Sequence, residues 1–139
     1  MLIFNAGKKK QREAQRLLVR ILNQQHQTNV RMSDVRQEQR SNLTVPVVIV
    51  PYVKGKPVID EAVHATTRDL SSAGIGLVAD QLIPTPEVLI GFRSDEEAFF
   101  IRATVKYQER ISANFFQIGA SASEVLHASD YPLLATLPL

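Results

Sequence analysis

Phe99-Phe100-Ile101-Arg102-Ala103-Thr104-Val105-Lys106-Tyr107 is the stretch whose reading decides the fold. Phe99, Ile101, Ala103, Val105 and Tyr107 alternate with Phe100, Arg102, Thr104 and Lys106. Successive side chains of a strand point to opposite faces, so a period of two predicts a strand with one side on a core. Weaker copies of the signal lie on both sides. Upstream, Leu43 to Val53 is rich in Val and Ile, which suit a pleated surface, and its Pro46 and Pro51 predict an edge or bulged strand. Val58 to Thr67 follows, with Val63, Ala65 and Thr67 on one face, and then Ile75 to Ala79 and Val88 to Phe92. Downstream, Ala113 to Ala120 completes a set of six. Lys54-Gly55-Lys56-Pro57, Asp69 to Gly74, Pro84 with Pro86, and Ser94-Asp95-Glu96 are the turns between them. Short strands at this spacing predict a small closed or sandwiched antiparallel barrel, and closure removes the exposed edges.

Helices are expected at the two ends. Between Gly7 and Gln27, the residues Ala14, Leu17, Leu18, Ile21 and Leu22 follow the i, i+3, i+4 pattern of an amphipathic helix. Arg12, Arg16 and Arg20 form a stripe on its polar side. Ser121-Ala122-Ser123-Glu124 reads as an S-x-x-E capping box for a short helix to about Ala128, with Pro132 ending it. The chain thus divides into an amphipathic helix over 1–28, an Arg-rich leader over 29–42 and a barrel with closing helix over 43–139.

Composition narrows the function. The 139 residues are 45% hydrophobic, enough to bury a core. Cysteine is absent, which excludes disulfides and thiolate metal sites and fits the cytoplasm expected for this chain. No stretch has the order of a secretory signal, and the most apolar run is short and broken by prolines, so no membrane span is expected. Charge is uneven: residues 1–40 hold nine Lys/Arg against three Asp/Glu, the rest seven against eleven. A basic front on a mildly acidic body suits an anionic partner, and equally a solvated helix face.

Two motifs carry chemistry. Arg36-Gln37-Glu38-Gln39-Arg40 is an R-x-x-x-R, a pattern that Arg12/Arg16 and Arg16/Arg20 repeat and that is weak by itself. Asp69-Leu70-Ser71-Ser72-Ala73-Gly74 is a D-x-S-x-x-G, much rarer by chance. Twenty-eight residues separate Arg40 from Asp69. Asp, Ser and Gly also make ordinary turns, the Asp and Ser capping amides and the Gly permitting the bend.

In that order and spacing the two motifs resemble the PilZ family, over roughly residues 30–128. The resemblance implies a six-stranded antiparallel PilZ-type β-barrel with a closing helix, here preceded by an extra N-terminal helix. It also implies a receptor for cyclic di-GMP, with no catalytic role and no cofactor beyond that ligand, which passes a ligand-induced change to an unidentified protein partner. By the same resemblance Arg36, Arg40, Asp69, Ser71 and Gly74 bind the ligand, with Arg31 and Arg68 as accessory candidates. The chemistry suits them. A guanidinium fork matches the paired O6 and N7 acceptors of guanine and also stacks on purines or takes a phosphate. An ionised Asp accepts from the N1–H and N2–H of guanine. Gly74 clears the approach and offers the left-handed backbone of a turn. Val35 stands where many members carry another Arg, which favours one ligand per site over an intercalated pair.

Other readings are weaker. His26, His64 and His127 lack ligand spacing, and the pairs Asp60-Glu61 and Glu96-Glu97 put neighbouring carboxylates on opposite faces of a strand. No nucleophile and base can be assembled, so an enzyme is not expected. Neither is a DNA or RNA binder, for want of regularly spaced aromatics. The apolar helix face of Leu17, Leu18 and Ile21 must be covered, by the barrel, by a second copy in a homodimer, or by a partner. The rival function is a ligand-free β-barrel interaction module that uses the basic N-terminal helix.

Overall fold

The computed structural model describes residues 9–10, 12–19, 41–42, 44–71, 74–94, 97–126, 131, 134, 136 and 137. A helix, α1, covers residues 9–10 and 12–19. Eight strands follow: β1 (Ser41–Asn42), β2 (Pro46–Val53), β3 (Lys56–Pro57), β4 (Val63–Leu70), β5 (Gly74–Ala79), β6 (Glu87–Ser94), β7 (Glu97–Arg110) and β8 (Phe116–Leu126). They pair in the order β1-β4-β5-β8-β7-β6-β2-β3, all antiparallel. An additional ladder joins β2 to β4, from Pro46 opposite Thr66 to Ile49 opposite Val63. Six strands therefore close into a barrel, with β1 and β3 as short extensions.

Side-chain alternation fills the barrel from within. Val47, Ile49, Val63, Ala65, Leu77, Ile90, Phe92, Ile101, Ala103 and Ile118 are buried in one cluster. Ala14, Leu17 and Leu18 of α1 belong to that cluster, the first and last wholly inaccessible. The apolar face of α1 is thus spent on the barrel's own interior, and Leu17 and Leu18 are not free to form a homodimer seam.

A second core lies on the outside. Val48, Val50 and Tyr52 of β2, Leu89 of β6 and Phe100 of β7 pack with Leu134, and Tyr131 and Leu137 pack against them. The C-terminal segment covers the outer wall here, so β2, β6 and β7 are apolar on both faces. This explains why Leu43 to Val53 reads as a continuous apolar run rather than an alternating one.

Three expectations are corrected. Ser121 to Leu126 is strand, not the start of a capped helix. The inward alternation of Ile118 and Ala120 reaches Ala122, and a bulge at Ser123 then sets Glu124 outward opposite Arg102 and Val125 inward. The Ser123 hydroxyl donates to the Arg102 carbonyl (3.0 Å), and Glu124 binds Arg102. Partners on β7 thus outcompete the local capping signal; the expected helix end at Ala128 lies outside the described residues. Likewise β2 is no edge strand, because β4 and β6 flank it. Its prolines are tolerated by position: Pro46 is its first residue and Pro51 lies past Ile49, the last to pair with β4. Asp60 and Glu61 sit in a 3-10 turn (Ile59–Glu61), not a strand.

Polar ties join the parts. Arg102 contacts Glu87 and Glu124, each at 3.1 Å, and lies 5.2 Å from the Tyr52 ring centroid. Glu124 also meets Lys10 of α1 at 3.6 Å. The Tyr52 hydroxyl hydrogen-bonds Tyr131 at 3.0 Å. That bond, with burial and the nearness of Tyr131, pushes the Tyr52 pKa from 10.0 up to about 12.

Truncating Leu134 to Ala removes the buried anchor of the outer core, and should cost about 2–5 kcal/mol in urea unfolding. Because the folded-state pKa of Tyr52 is raised, its stabilising effect is whole below pH 10 and is lost as pH climbs through about 12. Absorbance titration should accordingly show Tyr52 ionising late, and Tyr131→Phe should bring it back towards 10.

Candidate functional site

The D-x-S-x-x-G motif begins at the end of β4, where the ladder to β5 is irregular. Thr67 pairs with Leu77 and Asp69 with Gly76, leaving Arg68 as the extra residue of a β-bulge. A bulge re-aims side chains. Thr67 stays buried and Arg68 is exposed, while Asp69 follows on the outer side opposite Gly76. Two adjacent charged residues therefore reach the outer wall, which a regular strand would not permit. Thr67 also fixes the chain that enters the barrel: Val45 N–H donates to its Oγ1 at 2.8 Å, and Thr67 N–H donates to the Val45 carbonyl at 2.9 Å.

Ser71 closes the turn. Its N–H donates to the Gly74 carbonyl (3.0 Å) and its Oγ accepts from the Gly74 N–H (3.0 Å). Gly74 does not adopt the left-handed conformation expected of it; among the described residues positive φ occurs at Lys54 and Gly55, in the β2–β3 turn. Nor is Gly74 crowded, since an added Cβ would meet Ser71 Oγ at 3.5 Å and the Ala120 carbonyl at 3.6 Å, ordinary contacts.

Arg31, Arg36 and Arg40 lie outside the described residues, as do Val35, His26 and His127. Of the expected ligand set, the structure brings together Asp69, Ser71 and Gly74, with Arg68 beside them. Ser41, the residue after Arg40, pairs with Leu70, and Asn42 pairs with Asp69. The short strand β1 thus lies against the first residues of the motif.

Further residues share this outer wall. Asp69 pairs with Gly76, Gly76 with Gly119 and Gly119 with Tyr107, a row across β4, β5, β8 and β7. A Cβ on Gly76 would press on the Asp69 carboxyl (Cγ at 3.1 Å), and one on Gly119 would overlap the Tyr107 ring (Cζ at 2.6 Å). Arg68 donates to Gln117 Oε1, and Gln117 Nε2 donates to the Tyr107 hydroxyl at 3.3 Å. Sequence reasoning named Asp69 and Arg68 but missed Gly76, Tyr107, Gln117 and Gly119. Strict alternation places Tyr107 with Val105 on the inward face, but a second bulge, at Lys106, turns it outward, where it is 49% exposed. The available signal was the glycine pair at Gly74 and Gly76 together with an isolated Gly119 in a strand.

Among the described residues no group of three or more His, Asp or Glu gathers as a metal site would require, and no helix is long and apolar enough to cross a membrane.

No family model matches the sequence, and no curated protein matches it. Among solved structures the chain is similar to the Bacillus subtilis Inhibitor of motility (MotI/DgrA), with a TM-score of 0.49 and 18% identity. The match covers 76% of this chain and 51% of that one, so this chain spans about half the length of the protein it matches.

Since Gly74 has ordinary space and ordinary φ, Gly74→Ala should leave unfolding stability within about 1 kcal/mol of the parent. A loss much larger than that, measured by urea or heat, would mean that the turn itself demands glycine.

Proposed function

We propose that this chain is a cyclic di-GMP receptor of the PilZ type, without catalytic activity of its own, that passes a ligand-induced change to a partner protein in a bacterial cytoplasm. The observation that carries the reading is the β1–β4 register. Ser41 beside Leu70 and Asn42 beside Asp69 mean that the chain following the R-x-x-x-R enters the barrel at the D-x-S-x-x-G turn. The two residues that follow the first motif thus lie against the start of the second, on the wall of a closed six-stranded barrel.

In this reading Arg36 and Arg40 supply guanidinium forks for guanine edges and phosphates. Asp69, held on the outer wall by the Arg68 bulge, accepts from guanine N–H groups. Ser71 clasps the turn and offers its remaining hydrogen-bonding capacity to the ligand, and Gly74 leaves the approach open. The bound ligand draws the part of the Arg-rich leader that precedes β1 onto the barrel, and that clamping is the change handed to the partner.

Calorimetric titration of the intact protein with cyclic di-GMP should show binding at low-micromolar affinity or better, with one ligand per site. An Arg36→Ala/Arg40→Ala variant, shown to be folded by circular dichroism, should release no binding heat. An intact protein that gives no heat and no thermal stabilisation would overturn the receptor reading in favour of the interaction module.

A further inference from the structure

Two β-bulges bracket the Asp69–Gly76–Gly119–Tyr107 row, one at Arg68 and one at Lys106. Each turns a side chain out of the barrel and lays it over a glycine of the neighbouring strand. Adjacent strands are about 4.8 Å apart, so the ends of the row are separated by roughly 14 Å, a span suited to a nucleotide rather than an ion. At one end stands a carboxylate and at the other an aromatic ring. Arg68 and Gln117 run beside the row as a hydrogen-bonded chain that ends on the Tyr107 hydroxyl.

The Tyr107 ring has one side on Gly119, where no side chain intervenes, and it remains half-exposed. It also borders an open groove of about 300 Å³ lined by Ile83, Pro84, Pro86 and Lys106 among others. An exposed phenol held by a hydrogen bond and seated on backbone is a pre-positioned stacking surface, since little side-chain freedom is left to lose on binding.

We infer that Tyr107, carried out by the Lys106 bulge and seated on Gly119, stacks a purine base of the ligand, with Arg68 and Gln117 lining the edge of that base. The inference rests on the receptor reading and adds to it a base subsite whose stacking ring and seat lie on β7 and β8, outside both sequence motifs, with Arg68 of β4 at its edge. The glycine at 119 is the seat, so a methyl group there displaces the ring without removing it.

The test titrates cyclic di-GMP into the intact protein and into Tyr107→Phe, Tyr107→Leu and Gly119→Ala, after matching their thermal unfolding. Tyr107→Phe keeps the ring and should bind within about twofold. Tyr107→Leu should weaken binding roughly tenfold or more, the size expected for one lost stacking contact. Gly119→Ala should weaken it in the same direction. Unchanged affinity in a folded Tyr107→Leu, alongside binding by the intact protein that Arg36→Ala/Arg40→Ala abolishes, overturns the stacking role and leaves the receptor reading standing. Absence of binding by the intact protein overturns both.

Discussion

Closure of the barrel between β2 and β4 is the constraint on which the other features depend. Four residue pairs, from Pro46–Thr66 to Ile49–Val63, make the seam, and the Thr67–Val45 hydrogen bonds extend it by one step. With the seam made, β4 is held by β2 and β1 on one side and β5 on the other. The irregularity at Arg68 is then forced to resolve outward, because the interior is already filled by Leu70, Ile75 and Leu77. The position of Asp69 on the outer wall is thus a result of closure as much as of local sequence.

Closure also divides the apolar residues between two cores. The interior is completed by α1, the outer wall over β2, β6 and β7 by the segment from Tyr131 to Leu137. Arg102 stands between them on the wall, bound to Glu87 and Glu124 and resting on Tyr52. Burial works against its charge, and the two carboxylates outweigh that, so its pKa is raised rather than lowered. Through Glu124 it reaches Lys10, and through Tyr52 it reaches Tyr131. One cation therefore links the helix that precedes the barrel to the segment that follows it.

The sequence disclosed what local periodicity can disclose. All six long strands were legible, as was the amphipathic face of Ala14, Leu17 and Leu18, because both rest on patterns within a few residues. What was hidden depends on partners distant in sequence. Ser121 to Glu124 carries a genuine helix-start pattern, yet β7 offers Glu124 a cation and Ser123 an acceptor that a helix would forfeit. Bulges were equally invisible: a single extra residue, Arg68 or Lys106, changes the face of everything after it, and nothing in the residue types marks it. Of the candidate site, the motif at Asp69–Gly74 was legible from spacing, while Tyr107, Gln117 and Gly119 become neighbours of Asp69 only through the strand order β4-β5-β8-β7.

Gly76 and Gly119 face each other across the ladder between β5 and β8. A small barrel must bend its sheet sharply, and glycine, with no Cβ to crowd a neighbour, is one of the devices that let a sheet curve. The same pair that seats Asp69 and Tyr107 is therefore also placed to act as a crease in the wall. Drift at either position is constrained twice, since a side chain that unseats the outer groups also stiffens the sheet against coiling. The glycine pair ties the architecture of the barrel to the chemistry of its surface, and neither can change without the other.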